Sequence, residues 1–304
     1  MTQLLNALPG ALAQGLIWGV MAIGVYITYK VLDIADLTVD SSICTGAAVC
    51  TMLLLGGQSP WLALLCAVLA GVLAGAVTGL LHVGLGIPPI LAGILTQMVL
   101  WSVNLKLLGK ANQALPARTT PVLLSQMDVG GALPVLLGFC VVLVALLVLF
   151  FGTELGCALR ATGCNPVMSR AQGVNTGLMK VVGLALSNGV VALSGALLCQ
   201  YQGYTDVNMG RGAVVIGLAA VVIGQAVLGR RGGRMAVQLG GVILGAVIYY
   251  IVYQVIIFAG FDTDLLKMFS AVVVAVFLGA PHVKAQLKAH SRSKKGDSGH
   301  AENE

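Results

Sequence analysis

Charge is what this sequence has least of. Only 9% of its 304 residues are Asp, Glu, Lys or Arg, against roughly a quarter in an ordinary soluble domain. With 58% hydrophobic residues and a mean hydropathy of +0.96, there is too little polar material to cover a globular surface, which excludes a soluble enzyme. Catalytic patterns are missing too. No GxxxxGK[ST] phosphate loop occurs: Gly109-Lys110 is followed by Ala111 and lacks a correctly spaced glycine before it, so this chain does not itself hydrolyse ATP. His82, His282, His290 and His300 are scattered, without metal-ligand spacing or a companion carboxylate. The seven cysteines lie mostly inside apolar runs with no CxxC pair, as small hydrophobes and not as a disulfide or metal framework. Charges deep inside apolar runs, the mark of a proton or sodium relay, are also absent. Asp33, Asp36 and Asp40 keep a proton-coupled secondary transporter open as an alternative.

What is present is a series of long uncharged stretches. No charged residue occurs from Met1 to Tyr29, Ser41 to Leu105, Val129 to Thr153, Val181 to Thr205, Gly212 to Gly229 or Met235 to Phe261. A spanning helix needs about 20 mainly apolar residues, and the runs lack the period-2 alternation of a membrane β-barrel. The chain is therefore expected to be an all-α polytopic membrane protein. Its helices are placed near residues 8–29, 42–57, 61–82, 88–108, 132–151, 181–200, 212–228, 235–258 and 266–282. That is nine, with a range of eight to ten. Residues 1–282 form the transmembrane domain and 283–304 a disordered basic cytoplasmic tail. Met1 to Tyr29 lacks the basic leading region of a secretory signal and reads as the first membrane helix. Lys and Arg stay on the cytoplasmic side. With these crossings 12 of the 17 basic residues share the face of Arg160, Arg170 and Lys180, against five (Lys106, Lys110, Arg118, Arg211, Lys267) on the other. The C-terminus then lies in the cytoplasm and the N-terminus outside.

Gly71, Gly75 and Gly79 recur every four residues, as do the pairs Gly15/Gly19 and Gly241/Gly245. Such stripes let helices approach closely in lipid, so a compact bundle is expected. Three places spend polar residues. Asp33 to Ser42 (DIADLTVDSS) follows one apolar run and Tyr201 to Gly212 (YQGYTDVNMGRG) another, each with acidic or amide residues (Asp36 and Asp40; Asp206 and Asn208) before a small-residue start to a new helix. As cousins five crossings apart they would form an inverted repeat, a transporter signature in which interrupted helices face the pathway. As ordinary surface loops they would simply meet water. Thr96 and Gln97 join Asp36, Asp40, Asp206 and Asn208 as candidate pathway residues. The third place, Gly152 to Lys180, is too polar to span. Within it Asn165 caps and Pro166 opens a short helix to Gln172, stopped by Gly173. That helix suits docking into a partner's groove, lying on a membrane surface, or plain connection.

The run ELGCALRATGCNPVMSRAQGVN (Glu154 to Asn175) closely resembles the cytoplasmic loop of permease subunits of bacterial ABC importers of the ribose and branched-chain amino-acid type. The arginine-alanine stretch, Gly-x-Asn-Pro and closing glycine of that loop stand here as Arg160, Gly163, Asn165, Pro166 and Gly173. Asp206 to Gly233 resembles that family's later segment, and Gly84 to Thr96 and Asp36 to Ser42 its earlier ones. The likeness covers Leu16 to Leu278 and is nearest to the branch associated with tryptophan or tyrosine uptake; Asp40 stands where the sugar permeases carry glycine. The resemblance implies an importer in the bacterial cytoplasmic membrane with two permease chains as a homodimer, two ATP-binding cassette subunits and an extracytoplasmic substrate-binding protein, with no nucleic acid. ATP and Mg belong to the ATPase and no cofactor to this chain. The short helix, with Arg160, Gly163, Asn165, Pro166, Met168, Ser169, Arg170 and Gly173, would be the coupling helix. The solute would be an amino acid, aromatic or branched-chain, or alternatively a sugar or nucleoside.

Overall fold

The computed structural model describes residues 2–116, 120–228 and 234–258, with isolated positions at 268, 272, 275 and 279. The chain divides into two compact units, Met1–Val255 and Ile256–Glu304, and the described helices lie in the first apart from the last turn of α10. In order they are α1 (Thr2–Tyr26), continued by a π-helical turn (Ile27–Val31), α2 (Val39–Leu55), α3 (Pro60–Gly84), α4 (Pro89–Leu108), α5 (Val129–Gly152), α6 (Glu154–Cys164), α7 (Pro166–Ala171), α8 (Thr176–Gln202), α9 (Ala213–Leu228) and α10 (Met235–Phe258). Six of these segments are long and apolar enough to cross a membrane, and α2 and α9 are shorter apolar helices of 17 and 16 residues. The chain is a multi-pass, all-α membrane protein, as its composition requires.

Local signals set the helix ends. Ser59 accepts from Leu62 N and Pro60 takes the first turn of α3, where its missing N–H costs nothing. Asp128 caps α5 through Gly131 N, and Asn175 caps α8 through Leu178 N. Gly109 and Gly203 end α4 and α8 at φ of 71° and 75°, a left-handed conformation that glycine adopts without a Cβ clash. Each leads into a three-residue strand, β1 (Asn112–Ala114) and β2 (Tyr204–Asp206), which pair antiparallel with Asn112 opposite Asp206. Nothing in the sequence pattern marked this ribbon, because strands of three residues are too short to show an alternation.

The bundle is built around α8, buried along most of its length, while α4 and α5 turn large apolar side chains such as Val99 and Leu149 outward. The glycine stripes are contact lines. Methyl groups on Gly71, Gly75 and Gly79 of α3 would strike the Asn188, Leu184 and Val181 backbone of α8, which runs antiparallel to it. Gly15 and Gly19 of α1 lie on Val247 and Ile243 of α10, and Gly245 lies on Ala220 and Gly224 of α9. Association in lipid rests on this close backbone approach, since apolar burial gains nothing against lipid tails.

Two ends are distinct. At one, Val31 meets Gly163 of α6, Lys180 Nζ lies 3.3 Å from His82 Nε2, and Tyr26 donates to Gln238 near the start of α10. Lys30, Arg160, Arg170, Lys180 and Arg234 gather there, while Lys106 and Lys110 lie at the ribbon end, the grouping expected for these seven residues. The polar stretch 152–180 forms two helices where one was expected. Thr153 accepts from Gly156 N and starts α6, which buries Gly156, Leu159 and Thr162, a three-residue spacing hidden among polar neighbours. The α7 helix stops at Ala171, with Gln172 as its cap. Apart from the isolated positions 268, 272, 275 and 279, the expected helix 266–282 lies outside the described residues, as do the tail 283–304, Arg118, Arg230, Arg231, the segment Ala259 to Lys267 and the basic residues from Lys284 onward.

Candidate functional site

After the π-turn the chain does not cross to water and return. Leu32, Ile34 and Asp36 are buried, and α2 starts inside the bundle. Asp36, 5% exposed, accepts from Thr38 N at 2.8 Å and from Asn188 Nδ2 at 2.7 Å. Asn188 in turn accepts from Ser42 Oγ at 2.6 Å, and Thr38 shares a hydroxyl bond of 2.9 Å with Thr78. Asn188 lies twelve residues into α8, about 18 Å along a helix about 40 Å long. Asp36 is therefore part of a polar seam at mid-depth, and the surface-loop reading fails for it. Asp33 is different: it is exposed, at φ 57°, so it does not join a buried carboxylate relay. Asn188, Thr78 and Ser42 were not singled out by sequence, since single polar residues in apolar runs give no local signal of their partners.

The second polar segment approaches from the ribbon end and meets the first. Asp40, in the first turn of α2, accepts from Gly212 N at 3.1 Å and Val214 N at 3.0 Å, capping α9. Gly210 lies directly on the Asp40 carbonyl, where any side chain would collide. A carboxyl group at this helix start satisfies free N–H groups and complements the dipole. So the short helices α2 and α9 begin inside the bundle with their N-termini together. The two segments are not equivalent in detail. Asp206 accepts from Asn208 N in a local turn, Asn208 is exposed, and neither reaches the Asp36 seam.

Beside this junction is a cavity of about 560 Å³, lined among others by Asp40, Gln97, Ile94, Met98, Trp101 and Arg211. Of the candidate pathway residues, Asp40 and Gln97 share this space. Thr96 is buried with its hydroxyl returned to the Ala92 carbonyl, and Asp36 lies in the seam behind. Ser41 ties the wall together, donating to the Gln97 carbonyl at 3.0 Å. Trp101 and Arg211 were missed as site residues, one reading as an ordinary span residue and the other as an outer charge.

At the opposite end α7 is built as the sequence indicated. Asn165 Oδ1 accepts from Val167 N at 3.1 Å and Met168 N at 3.0 Å, Pro166 occupies the first turn, and Gly173 at φ 83° closes the helix. Ser169 is buried, donating to the Asn165 carbonyl, while Val167 and Met168 are 75% and 60% exposed. An apolar pair this open on a short helix protrudes without being covered by the described residues. Arg160 and Arg170 flank it, donating to the Phe151 carbonyl and the Thr176 hydroxyl. Gly163 packs on the Val31 backbone and so fixes α6, and with it α7, to the end of α1. All seven cysteines are unpaired, and among the described residues no three His, Cys, Asp or Glu side chains gather as a metal site.

The permease component family of the branched-chain amino acid transport system matches residues 8–280. A tyrosine transport system permease protein of Clostridioides difficile (strain R20291) is 37% identical over 93% of this chain and 94% of its own length. An uncharacterized protein of Rickettsia prowazekii (strain Madrid E) is 33% identical over 91% of this chain and 98% of its own. The autoinducer 2 import system permease protein LsrC of Escherichia coli (strain K12 / DH10B) is 30% identical over 67% of this chain and 60% of its own. No solved structure matches.

Proposed function

The chain belongs to the family of branched-chain amino acid transport system permease components, and we propose that it is the translocation subunit of an ATP-driven importer for an aromatic or branched-chain amino acid. The match across residues 8–280 carries this reading, and the 37% identical tyrosine transport permease supports the solute class. The import relative at 30% identity favours, as a second reading, a small polar solute such as a sugar or nucleoside.

In this reading the protein sits in the bacterial cytoplasmic membrane with α7 and the C-terminus inside, paired with a second copy. Two ATP-binding cassette subunits take the α7 helices into surface grooves, with Val167 and Met168 as the apolar insert and Arg160 and Arg170 as flanking cations. ATP and Mg are held there, not in this chain. Closure of the ATPase dimer draws the two α7 helices together, and because Gly163 locks α6 onto Val31, the movement passes to α1 and then to the interrupted segment before α2. The permease tips outward-open, receives solute from a binding protein at the ribbon end, and resets on hydrolysis. Asp40 and Gln97 line the pathway, Asp36 supports it from the seam, and Asp206 and Asn208 stand at its outer approach.

The test is co-purification of the detergent-solubilised protein with a nucleotide-binding subunit, together with uptake into vesicles. Uptake that stops on ATP depletion and survives loss of the proton gradient is the expected result. No ATPase association, with uptake that follows the proton gradient, would replace this reading with a secondary transporter.

A further inference from the structure

The cavity beside the α2–α9 junction carries an arrangement that the importer reading does not by itself require. Its lining carries charges of both signs, Asp40 and Arg211. Asp40 has each carboxyl oxygen engaged by an α9 backbone N–H. Arg211, adjacent in sequence to one of those donors and lining the same cavity, makes no side-chain hydrogen bond or ion pair among the described residues. A guanidinium without a side-chain partner beside apolar surface is a ready donor to a carboxylate, which it binds in a planar fork. An unspent acceptor is connected to the cavity through Ser41, which lines it. Asn104, 1% exposed, donates to the Ser41 carbonyl at 3.4 Å, while its Oδ1 is the buried side-chain atom left without a partner among the described residues. Exchanging its amide atoms would set two acceptors against each other, so the orientation stands. Asp40 immediately precedes Ser41, so the Asn104 amide is bonded to the residue next to the carboxyl group. Ile94, Met98 and Trp101, at helical spacing on α4, add an apolar strip to the same lining.

We propose that this cavity is a selectivity site for a zwitterionic amino acid with an aromatic side chain. Arg211 takes the carboxylate, Asp40 with the Ser41-bonded Asn104 takes the ammonium, and Trp101, Ile94 and Met98 take the ring. A volume of about 560 Å³ is within the range of small-molecule sites. A sugar would meet too much apolar wall and leave Arg211 uncompensated. The direction of transport rests on the importer reading, but binding here does not.

The experiment is ligand-observed NMR on the purified chain in nanodiscs, with L-phenylalanine, L-tyrosine, tyramine, 3-phenylpropanoate and D-ribose. Both amino acids should bind in the millimolar range, and tyramine and 3-phenylpropanoate, each lacking one charge, about tenfold or more weakly. Arg211→Gln should weaken L-tyrosine to the level of tyramine and leave tyramine unchanged, with Arg211→Lys intermediate. Trp101→Ala should weaken L-phenylalanine and 3-phenylpropanoate alike. Arg211 is exposed, so its variants test binding without endangering the fold. Equal binding of tyramine and L-tyrosine, preference for D-ribose, no binding by the wild type, or an Arg211→Gln variant that keeps L-tyrosine would overturn the site. Loss of the site with intact ATP-driven uptake by the assembled transporter would leave the importer reading standing; failure of ATPase association would remove that reading and leave the site.

Discussion

Replacing Asn188 by alanine should be the costliest single polar change in the bundle. Its amide donates to Asp36 Oδ2 at 2.7 Å and to the Leu184 carbonyl at 2.9 Å, and its carbonyl accepts from Ser42 at 2.6 Å. Two of these bonds join separate elements, and such bonds in membrane proteins are worth about 0.6 to 1.7 kcal/mol each, so their loss costs about 1 to 3 kcal/mol. Asp36 is 5% exposed, and removing a donor from a buried group adds on the order of 1 to 3 kcal/mol. The expected destabilisation is about 2 to 6 kcal/mol, against about 1 kcal/mol for Asp36→Asn, which keeps an acceptor in place. Unfolding by SDS titration in mixed micelles reads this directly. A cycle of Asn188→Ala with Asp36→Ala should show coupling of about 1 to 2 kcal/mol. Asn188→Ala within about 0.5 kcal/mol of wild type, or strictly additive changes, would refute the seam as a structural unit.

Further outcomes are expected elsewhere. Asn165→Ala removes both bonds of the α7 cap, about 1 kcal/mol of local helix stability; ATP-driven uptake should fall while the bundle melts at its wild-type temperature, and unchanged uptake would dissociate α7 from coupling. Gly75→Val pushes a branched side chain into the Leu184 backbone, so expressed protein should lose its sharp melting transition or fail to insert; normal melting would mean α3 and α8 are not in close contact. Asp40→Ala leaves Gly212 N and Val214 N uncapped and should cost about 1 to 2 kcal/mol, whereas Asp40→Asn, which still accepts, should cost less; equal losses in the two variants would point to charge and not capping.

Hydropathy made the spans legible because lipid demands long uncharged helices whatever their neighbours are. The surface helix was legible because capping is local: Asn165, Pro166 and Gly173 act within a few residues of one another. The α6 helix was less so, since its buried face of Gly156, Leu159 and Thr162 has no apolar contrast with its surroundings. Depth was not legible at all. Asp33 and Asp36 are three residues apart in one polar stretch, yet one is exposed and the other is held by Asn188, 152 positions away.

The class of the protein, its helical spans, the sorting of its basic residues and the capped α7 were determined by sequence alone, because each depends on composition or on neighbours within a turn or two. The meeting of the α2 and α9 starts at Asp40, the cavity with Arg211 and Trp101 on its wall, and the seam around Asn188 were decided only by tertiary structure. These features pair residues more than a hundred positions apart, and glycine contacts such as Gly71 on Asn188 bring the backbones close enough for them to meet. A buried carboxyl group persists in the interior of a membrane protein only where such distant partners satisfy it.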